Sequence, residues 1–193
     1  MCSNILESDS LFQNSYIDIG EFLYNNLSSI LNDNKSIIFI CIGTDRCTGD
    51  SLGPLVGYKI KKTIKNLPKN IYIYGSLETP VHSKNILDIV NKVYATFNNP
   101  YIVAIDSCLG KISNIGHIFI NNTPLYPGLA LNKNLPPIGD LSITGIVNLS
   151  GKYEFLVLQN TRLYTVMNLA DCISNGIISF LDIIQNNSLL KNK

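Results

Sequence analysis

Two aspartates follow apolar segments that have the composition of buried β-strands. Asp50 lies near the end of a glycine-rich loop, CIGTDRCTGDSLGP over residues 41–54, that follows the apolar segment 37–40. Asp106 directly follows the apolar segment 101–105. Because ligands bind at the carboxyl ends of the strands in an open α/β sheet, we expect both carboxylates at that edge. The sequence therefore predicts an active site in which Asp50 and Asp106 are the catalytic residues.

Two neighbouring carboxylates can act together as an acid and a base. Carboxyl groups brought close together do not both ionise easily, so one stays protonated while the other is charged. Such a pair can activate water for hydrolysis, and it can also hold a hard divalent cation. Simpler roles remain open, because Asp50 could cap the following helix and Asp106 could form a turn at the end of its strand.

Other polar residues in the same loops are candidates for substrate contacts. The predicted substrate-binding residues are Gly43, Thr44, Asp45, Arg46, Gly49, Glu78 and His82. A salt bridge within the loop is the alternative role for Asp45 and Arg46. His82 follows the second apolar segment of the α/β pattern, which makes it the better placed of the two histidines for acid–base or ligand chemistry.

Two other kinds of chemistry are weaker alternatives. Cys47 and Cys108 occupy the two candidate loops, and a thiol paired with a histidine could act as a nucleophile. The glycine-rich loop is neither a dinucleotide fingerprint nor a Walker A motif, since no Lys-Ser/Thr pair follows Gly53. The sequence shows no cofactor-binding motif, and we predict neither a cofactor nor a resident metal.

The composition is typical of a compact α/β protein. The chain has 193 residues, of which 46% are hydrophobic and 15% charged, so we predict one domain over residues 1–193, with loose ends at 1–13 and 186–193. A net charge of +1 gives no electrostatic reason to expect nucleic acid or an acidic membrane as a partner. Five cysteines without CxxC spacing, no signal-peptide pattern and no long apolar span predict a cytoplasmic protein with reduced thiols.

Hydrophobic periodicity predicts alternating strands and helices. Helices are expected over 14–31, 51–66, 83–97 and from 150 onward, and strands over 36–42, 71–75, 101–105, 112–120 and 141–148. This order predicts a three-layer α/β/α sandwich around a mostly parallel sheet. A change of pattern after Asp106 could place one antiparallel strand in the sheet. A Pro/Gly-rich loop is expected over 121–140.

Several long motifs, in order, resemble the YyaC-like sporulation protein family over about residues 36–185. They are IGTDRCTGDSLGPLVG at 42–57, ETPVHSKN at 78–85, AIDSCLG at 104–110, ITGIVN at 143–148 and LVLQNTR at 156–162. That family is similar to the spore germination protease, an aspartic-type endopeptidase, and more distantly to the hydrogenase-maturation endopeptidases. The resemblance implies a phosphorylase/hydrolase-like fold.

The resemblance also implies a function. The aspartates regarded as catalytic in the germination protease lie in Asp-Ala-Leu-Gly-Pro and Ala-Ile-Asp-Ala motifs, which correspond to Asp50 and Asp106 here. It implies a hydrolase of sporulation or germination, located in the cytoplasm or forespore, that acts on a protein or peptide such as the small acid-soluble spore proteins. The alternatives are a non-catalytic peptide-binding or scaffold module and a metal-dependent maturation factor. Hydrogenase-maturation enzymes also use a histidine for metal, and this chain has none at the matching position. The sequence makes no prediction about the oligomeric state.

Overall fold

A computed structural model describes residues 5–10, 14–127 and 135–191, with side-chain surroundings to residue 187. The strands of the described residues are β1 (Ile5–Asp9), β2 (Ile37–Cys41), β3 (Ile71–Tyr74), β4 (Tyr101–Gly110), β5 (His117–Asn121) and β6 (Leu141–Leu149). The helices are α1 (Ser15–Asn32), α2 (Leu52–Thr63), α3 (Ile86–Thr96), α4 (Glu154–Gln159) and α5 (Leu163–Lys191).

The strands form one mixed sheet in the order β1-β5-β6-β4-β2-β3. The pairs β2–β3, β2–β4 and β4–β6 are parallel, whereas β5 is antiparallel to both of its neighbours. The prediction of an α/β fold with a mostly parallel sheet is confirmed, and β5 is the reversed strand among the described ones.

Helices cover both faces of the sheet. On one face α1, α2 and α5 pack against residues such as Phe39, whose ring meets that of Phe180 edge-on at a centroid distance of 6.4 Å. On the other face α3 packs against Ile38, Ile40 and Ile102. All five residues of β2 are buried, because a parallel strand covered on both faces needs apolar side chains on each.

Five sequence predictions about the elements are corrected or refined. The expected loose lead-in contains β1, which pairs with β5 at the edge of the sheet. The expected strand over 112–120 is a short 3₁₀ turn followed by β5. The final helix is two helices, α4 and α5, separated at residues 160–162, and α5 continues through the expected tail at 186 to Lys191. The loop predicted over 121–140 contains an antiparallel bridge between Leu125 and Ile138, and residues 128–134 lie outside the described part.

Helix α5 contains a long apolar segment, whereas the sequence analysis expected no apolar span long enough to cross a membrane. Its segment Leu163–Asn187 meets the length and composition of a membrane span, with a mean hydropathy of 1.3. Half of that apolar window is buried inside the fold, where Ile173, Ile177 and Phe180 belong to the core beside the sheet. A core helix passes the same test, so this feature is weak evidence for a membrane, and the absence of a membrane partner stays a prediction.

Candidate active site

Three chain segments meet where β2 ends. Cys41, the last residue of β2, is paired with Ile105 of β4, and the next amide, that of Ile42, donates to the Ile105 carbonyl at 2.7 Å. The amide of Gly43 then donates to the carbonyl of Val81 at 2.7 Å. These bonds bring the glycine-rich loop after β2, the loop after β3 and the middle of β4 to one point on the sheet edge.

Asp106 lies within β4 and not beyond its end, which corrects the sequence prediction. Strand β4 continues to Gly110 because β6 pairs with it throughout, and Asp106 is the partner of Thr144. On its other side β2 has already ended, one position earlier, at Cys41. The side of β4 that faces the glycine-rich loop is therefore open at Asp106.

A folded turn in the glycine-rich loop brings Asp50 to the place where these three segments meet. The amide of Thr44 donates to the Asp50 carbonyl at 2.9 Å, and the amide of Asp50 donates to the Cys47 carbonyl at 3.0 Å. A 3₁₀ turn, Thr48–Ser51, then leads into α2. Gly43 has a φ of +136°, a value that favours glycine, and a Cβ there would collide with the Asp50 carbonyl.

Gly53, in the first turn of α2, allows the helix to touch the end of β2. A Cβ on this residue would collide with the backbone carbonyl of Ile42. We expect Gly53→Ala to lower the free energy of unfolding by about 1–3 kcal/mol, the usual cost of overpacking, and the melting temperature by about 2–12 °C. Gly151→Ala is the matched control, because no atom lies within 4 Å of a Cβ added there. Thermal unfolding followed by circular dichroism measures the melting temperatures of both variants. Equal shifts in the two would contradict the close contact between α2 and the end of β2.

A cavity of about 200 Å³ lies at this meeting point. Both aspartates line it, as do most of the residues predicted to bind substrate. The predicted site residues that line it are Gly43, Thr44, Arg46, Asp50, His82 and Asp106. The two carboxylates therefore share one opening, which is the spatial arrangement that the sequence predicts.

The carboxyl group of Asp106 is buried and feels the charge of Asp50. Asp106 is 8% exposed. Burial raises its pKa well above the ordinary value, the charge of Asp50 raises it further, and a 2.7 Å hydrogen bond from the Ser107 amide offsets part of the increase. This environment favours the protonated form of Asp106. Asp50 precedes α2 by two residues, where the helix dipole favours a negative charge.

His82 contributes a ring to the same cavity. Its amide donates to Asn85 Oδ1 at 2.8 Å, which fixes the backbone, and the amide of Lys84 donates to His82 Nδ1 at 3.3 Å. Because Nδ1 accepts this bond, the proton of the neutral ring is assigned to Nε2. His82 can therefore present a donor to a ligand.

Three predicted site residues lie outside the cavity. Asp45 is exposed and does not line the cavity, although its neighbours Thr44 and Arg46 do. Gly49 is buried against Leu158 and Thr161, so its role is packing. Glu78 is exposed and accepts a 2.8 Å hydrogen bond from Ser76, which lowers its pKa and holds it in its own loop. None of the three is among the described residues that line the cavity, so their roles in substrate binding stay predictions.

The sequence analysis missed part of the cavity wall. The lining residues that it did not name include Ser83, Lys84, Pro127, Leu135, Phe155 and Leu158. Ser83 and Lys84 could have been predicted from the sequence, because they adjoin His82 in the same loop. Phe155 and Leu158 were not, since only the tertiary packing of α4 against the 3₁₀ turn brings them to the site.

Two cysteines lie near the paired carboxylates, one in the cavity wall and one outside it. Cys47 lines the cavity, but burial raises its pKa and the charge of Asp50 adds to the increase, so it remains a thiol. Cys108 is exposed and does not line the cavity. Within the described residues, no group of three or more His, Cys, Asp or Glu side chains could hold a metal ion. Asp50, Asp106 and His82 share the opening without forming such a group.

Fold and site together define an α/β protein with a mixed sheet and paired carboxylates in one cavity at the sheet edge. A family model described as "Protein of unknown function (DUF1256)" matches residues 9–176, and the chain belongs to this family. The uncharacterized protein YyaC of Bacillus subtilis (strain 168) is 48% identical over 143 residues, which cover 74% of this chain and 68% of that protein. The resemblance to YyaC-like proteins is thereby confirmed.

Two solved structures resemble this chain at low sequence identity. One is the [NiFe] hydrogenase maturation protease HycI from Thermococcus kodakarensis KOD1, with a TM-score of 0.46 and 15% identity. The other is the hydrogenase maturating endopeptidase HybD from E. coli, with a TM-score of 0.43 and 13% identity. Each comparison covers 76% of this chain and 92% of the other.

Proposed function

We propose that this protein is a peptidase-like hydrolase of sporulation or germination in which Asp50 and Asp106 activate a water molecule. The observation that carries the proposal is electrostatic. Two carboxyl groups line one cavity, and burial together with the charge of Asp50 raises the pKa of Asp106. A pair whose environments push their pKa values apart supplies an acid and a base at the same pH.

The mechanism assigns a different role to each carboxyl group. Asp50, ionised, accepts a proton from water as the water oxygen attacks the amide carbon. Asp106, protonated, donates its proton to the leaving nitrogen as the carbon–nitrogen bond breaks. One proton is thus taken and one given in each turnover. Before the next turnover Asp50 loses its proton and Asp106 regains one, either by direct transfer or by exchange of both groups with solvent. His82 Nε2 and the Thr44 side chain are the donors proposed to orient the substrate carbonyl.

The proposed substrate is a protein or peptide of the spore programme, and the small acid-soluble spore proteins are the first candidates. We place the protein in the cytoplasm or forespore. The test incubates purified protein with these proteins and with a peptide library, and detects new termini by mass spectrometry. Wild-type protein should produce them and Asp50→Asn should not.

Asp45→Asn is the matched control for this test. It makes the same chemical change in the same loop, at an exposed residue outside the cavity, and should retain cleavage. Products that persist in Asp50→Asn would identify a contaminating protease. Absence of products from wild-type protein across the library would reject hydrolysis.

A second candidate function is peptide binding without turnover. The observation in its favour is the apolar surface of α4, where Phe155 is 52% and Leu156 53% exposed beside the cavity. A fold does not by itself imply a reaction. Binding of a peptide that survives intact with the wild-type protein would support this second function.

A further inference from the structure

Helix α4 depends on its neighbours for its position. It has six residues, and the connection that precedes it, residues 150–153, is exposed. A helix this short is not stable alone in water, so contacts with the rest of the fold must hold it in place. Those contacts matter to the site, because Phe155 and Leu158 of α4 line the cavity.

A bulge in β6 directs Asn148 towards α4. Ile146 and Asn148 pair with consecutive residues of β4, so Val147 between them is an extra residue. Successive side chains of a regular strand point to opposite faces of the sheet, and a bulge re-aims them. Val147 lies in the core cluster that contains Leu158, and the side chain of Asn148, the next residue, also reaches α4.

The Asn148 side chain ties the end of α4 to the sheet. Its Nδ2 donates to the carbonyl of Val157 at 3.3 Å and to Oγ1 of Thr161 at 3.2 Å. Oγ1 of Thr161 in turn donates to the same Val157 carbonyl at 2.9 Å. Because Oδ1 of Asn148 accepts a 2.8 Å bond from the Leu149 amide, the donor group is assigned to the side that faces α4. Thr161 is buried, so water does not compete freely for these bonds.

The same end of α4 supports the turn that carries Asp50. Gly49 immediately precedes Asp50, and a Cβ added to Gly49 would lie 2.9 Å from Thr161 Oγ1 and 2.8 Å from a backbone carbonyl oxygen of α4. The backbone of the turn therefore rests on the atoms that Asn148 holds. Closely packed interiors transmit displacements, so a shift at the end of α4 should move the carboxyl group of Asp50 relative to that of Asp106.

We propose that Asn148 and Thr161 are positioning residues, which set the place of Asp50 opposite Asp106 by holding the end of α4 against the turn. Neither is among the described residues that line the cavity, so they act through Asp50 and not on a substrate. The inference rests on the proposed function for its effect on a reaction rate, whereas the geometry that it asserts is testable without turnover.

The test measures the pKa of Asp106 by NMR titration of the carboxyl carbons, with Asp106→Asn to assign the signal. In Asp50→Asn this pKa should fall, because the charge of Asp50 contributes to its elevation. Thr161→Val keeps the shape of the side chain and removes the hydroxyl group, so it should lower the pKa in the same direction and by less. Asn148→Ala should act in the same way. Thr161→Ser keeps the hydroxyl group and should recover most of the wild-type value.

A double substitution separates the positioning of Asp50 from a general loosening of the fold. In the Asp50→Asn background, Thr161→Val should cause no further fall in the pKa of Asp106, since the charge through which it acts is absent. The matched control is Asn26→Ala, which also removes two side-chain hydrogen bonds, at α1 and away from the cavity lining, and should leave that pKa at the wild-type value. An equal fall in the control, or a further fall in the double variant, would overturn the proposal.

Activity gives a second measurement on the same variants. With a cleaved peptide, Thr161→Val should lower kcat by up to about 100-fold, the cost of a misplacement of about 1 Å, and Thr161→Ser should restore most of it. An unchanged pKa of Asp106 in both Thr161→Val and Asn148→Ala would overturn this inference and leave the hydrolase standing. The expected pKa changes in a protein that cleaves no peptide would do the reverse.

Discussion

Replacing Asp106 by asparagine is expected to lower the rate of peptide hydrolysis by about 10²–10⁴-fold, the usual contribution of a positioned acid or base. The substitution keeps the shape of the side chain and an oxygen that can accept the 2.7 Å hydrogen bond from Ser107. It removes the proton that the proposed mechanism delivers to the leaving nitrogen. Single-turnover rates on a cleaved peptide measure the loss.

The pH profile distinguishes this chemical role from a structural one. In the wild-type protein the rate should fall as pH rises through the raised pKa of Asp106, since the acid is lost. In Asp106→Asn this alkaline limb should vanish from the residual activity, whereas Asp45→Asn should keep it. An alkaline limb that survives in Asp106→Asn would exclude Asp106 as the acid.

The convergence of the two aspartates was predictable because each depends on local sequence. A buried strand followed by a glycine-rich loop positions Asp50, and the apolar first half of β4, which runs to Ile105, positions Asp106. Parallel pairing then brings the two together, since Cys41 and Ile105 are in register. Polar side chains in the loops were harder to assign, because a turn directs successive residues in different directions. Asp45 and Glu78 lie in the expected loops but are exposed and do not line the cavity.

Features that depend on tertiary packing could not be predicted. Phe155 reaches the cavity because α4 packs against the 3₁₀ turn before α2, and nothing in its own segment indicates that contact. Strand β1 has the sequence ILESD, with only two apolar residues, so its edge position rests on pairing with β5 and not on a buried pattern. The extension of β4 to Gly110 likewise depends on β6, a partner more than thirty positions further along the chain.

Asp106→Asn is also expected to stabilise the folded protein, with a gain that grows as pH rises. The raised pKa of Asp106 means that the folded protein binds its proton more tightly than the unfolded chain, where the ordinary value is 3.8. Wild-type stability therefore falls as pH rises from that value through the folded pKa, because the folded state must either retain a proton or bury a charge beside Asp50. Asparagine does not titrate, so the stability of Asp106→Asn should not fall with rising pH for this reason.

Melting temperatures measured from about pH 4 to pH 8 cover this interval. At the upper end we expect the free energy of unfolding of Asp106→Asn to exceed that of the wild type by about 0.5–2 kcal/mol, the usual gain from one favourable substitution. Its melting temperature should then be higher by about 1–8 °C. At the lower end the two should converge, and exposed Asp45→Asn should show no comparable trend. A difference that does not change with pH would mean that the carboxyl group of Asp106 is neither buried at a cost nor coupled to Asp50. Any loss of activity in Asp106→Asn would then have a cause other than the loss of the acid–base pair. If Asp106→Asn instead raises stability at high pH and lowers activity, the carboxyl group that destabilises the folded protein is the same group that the proposed catalytic pair requires.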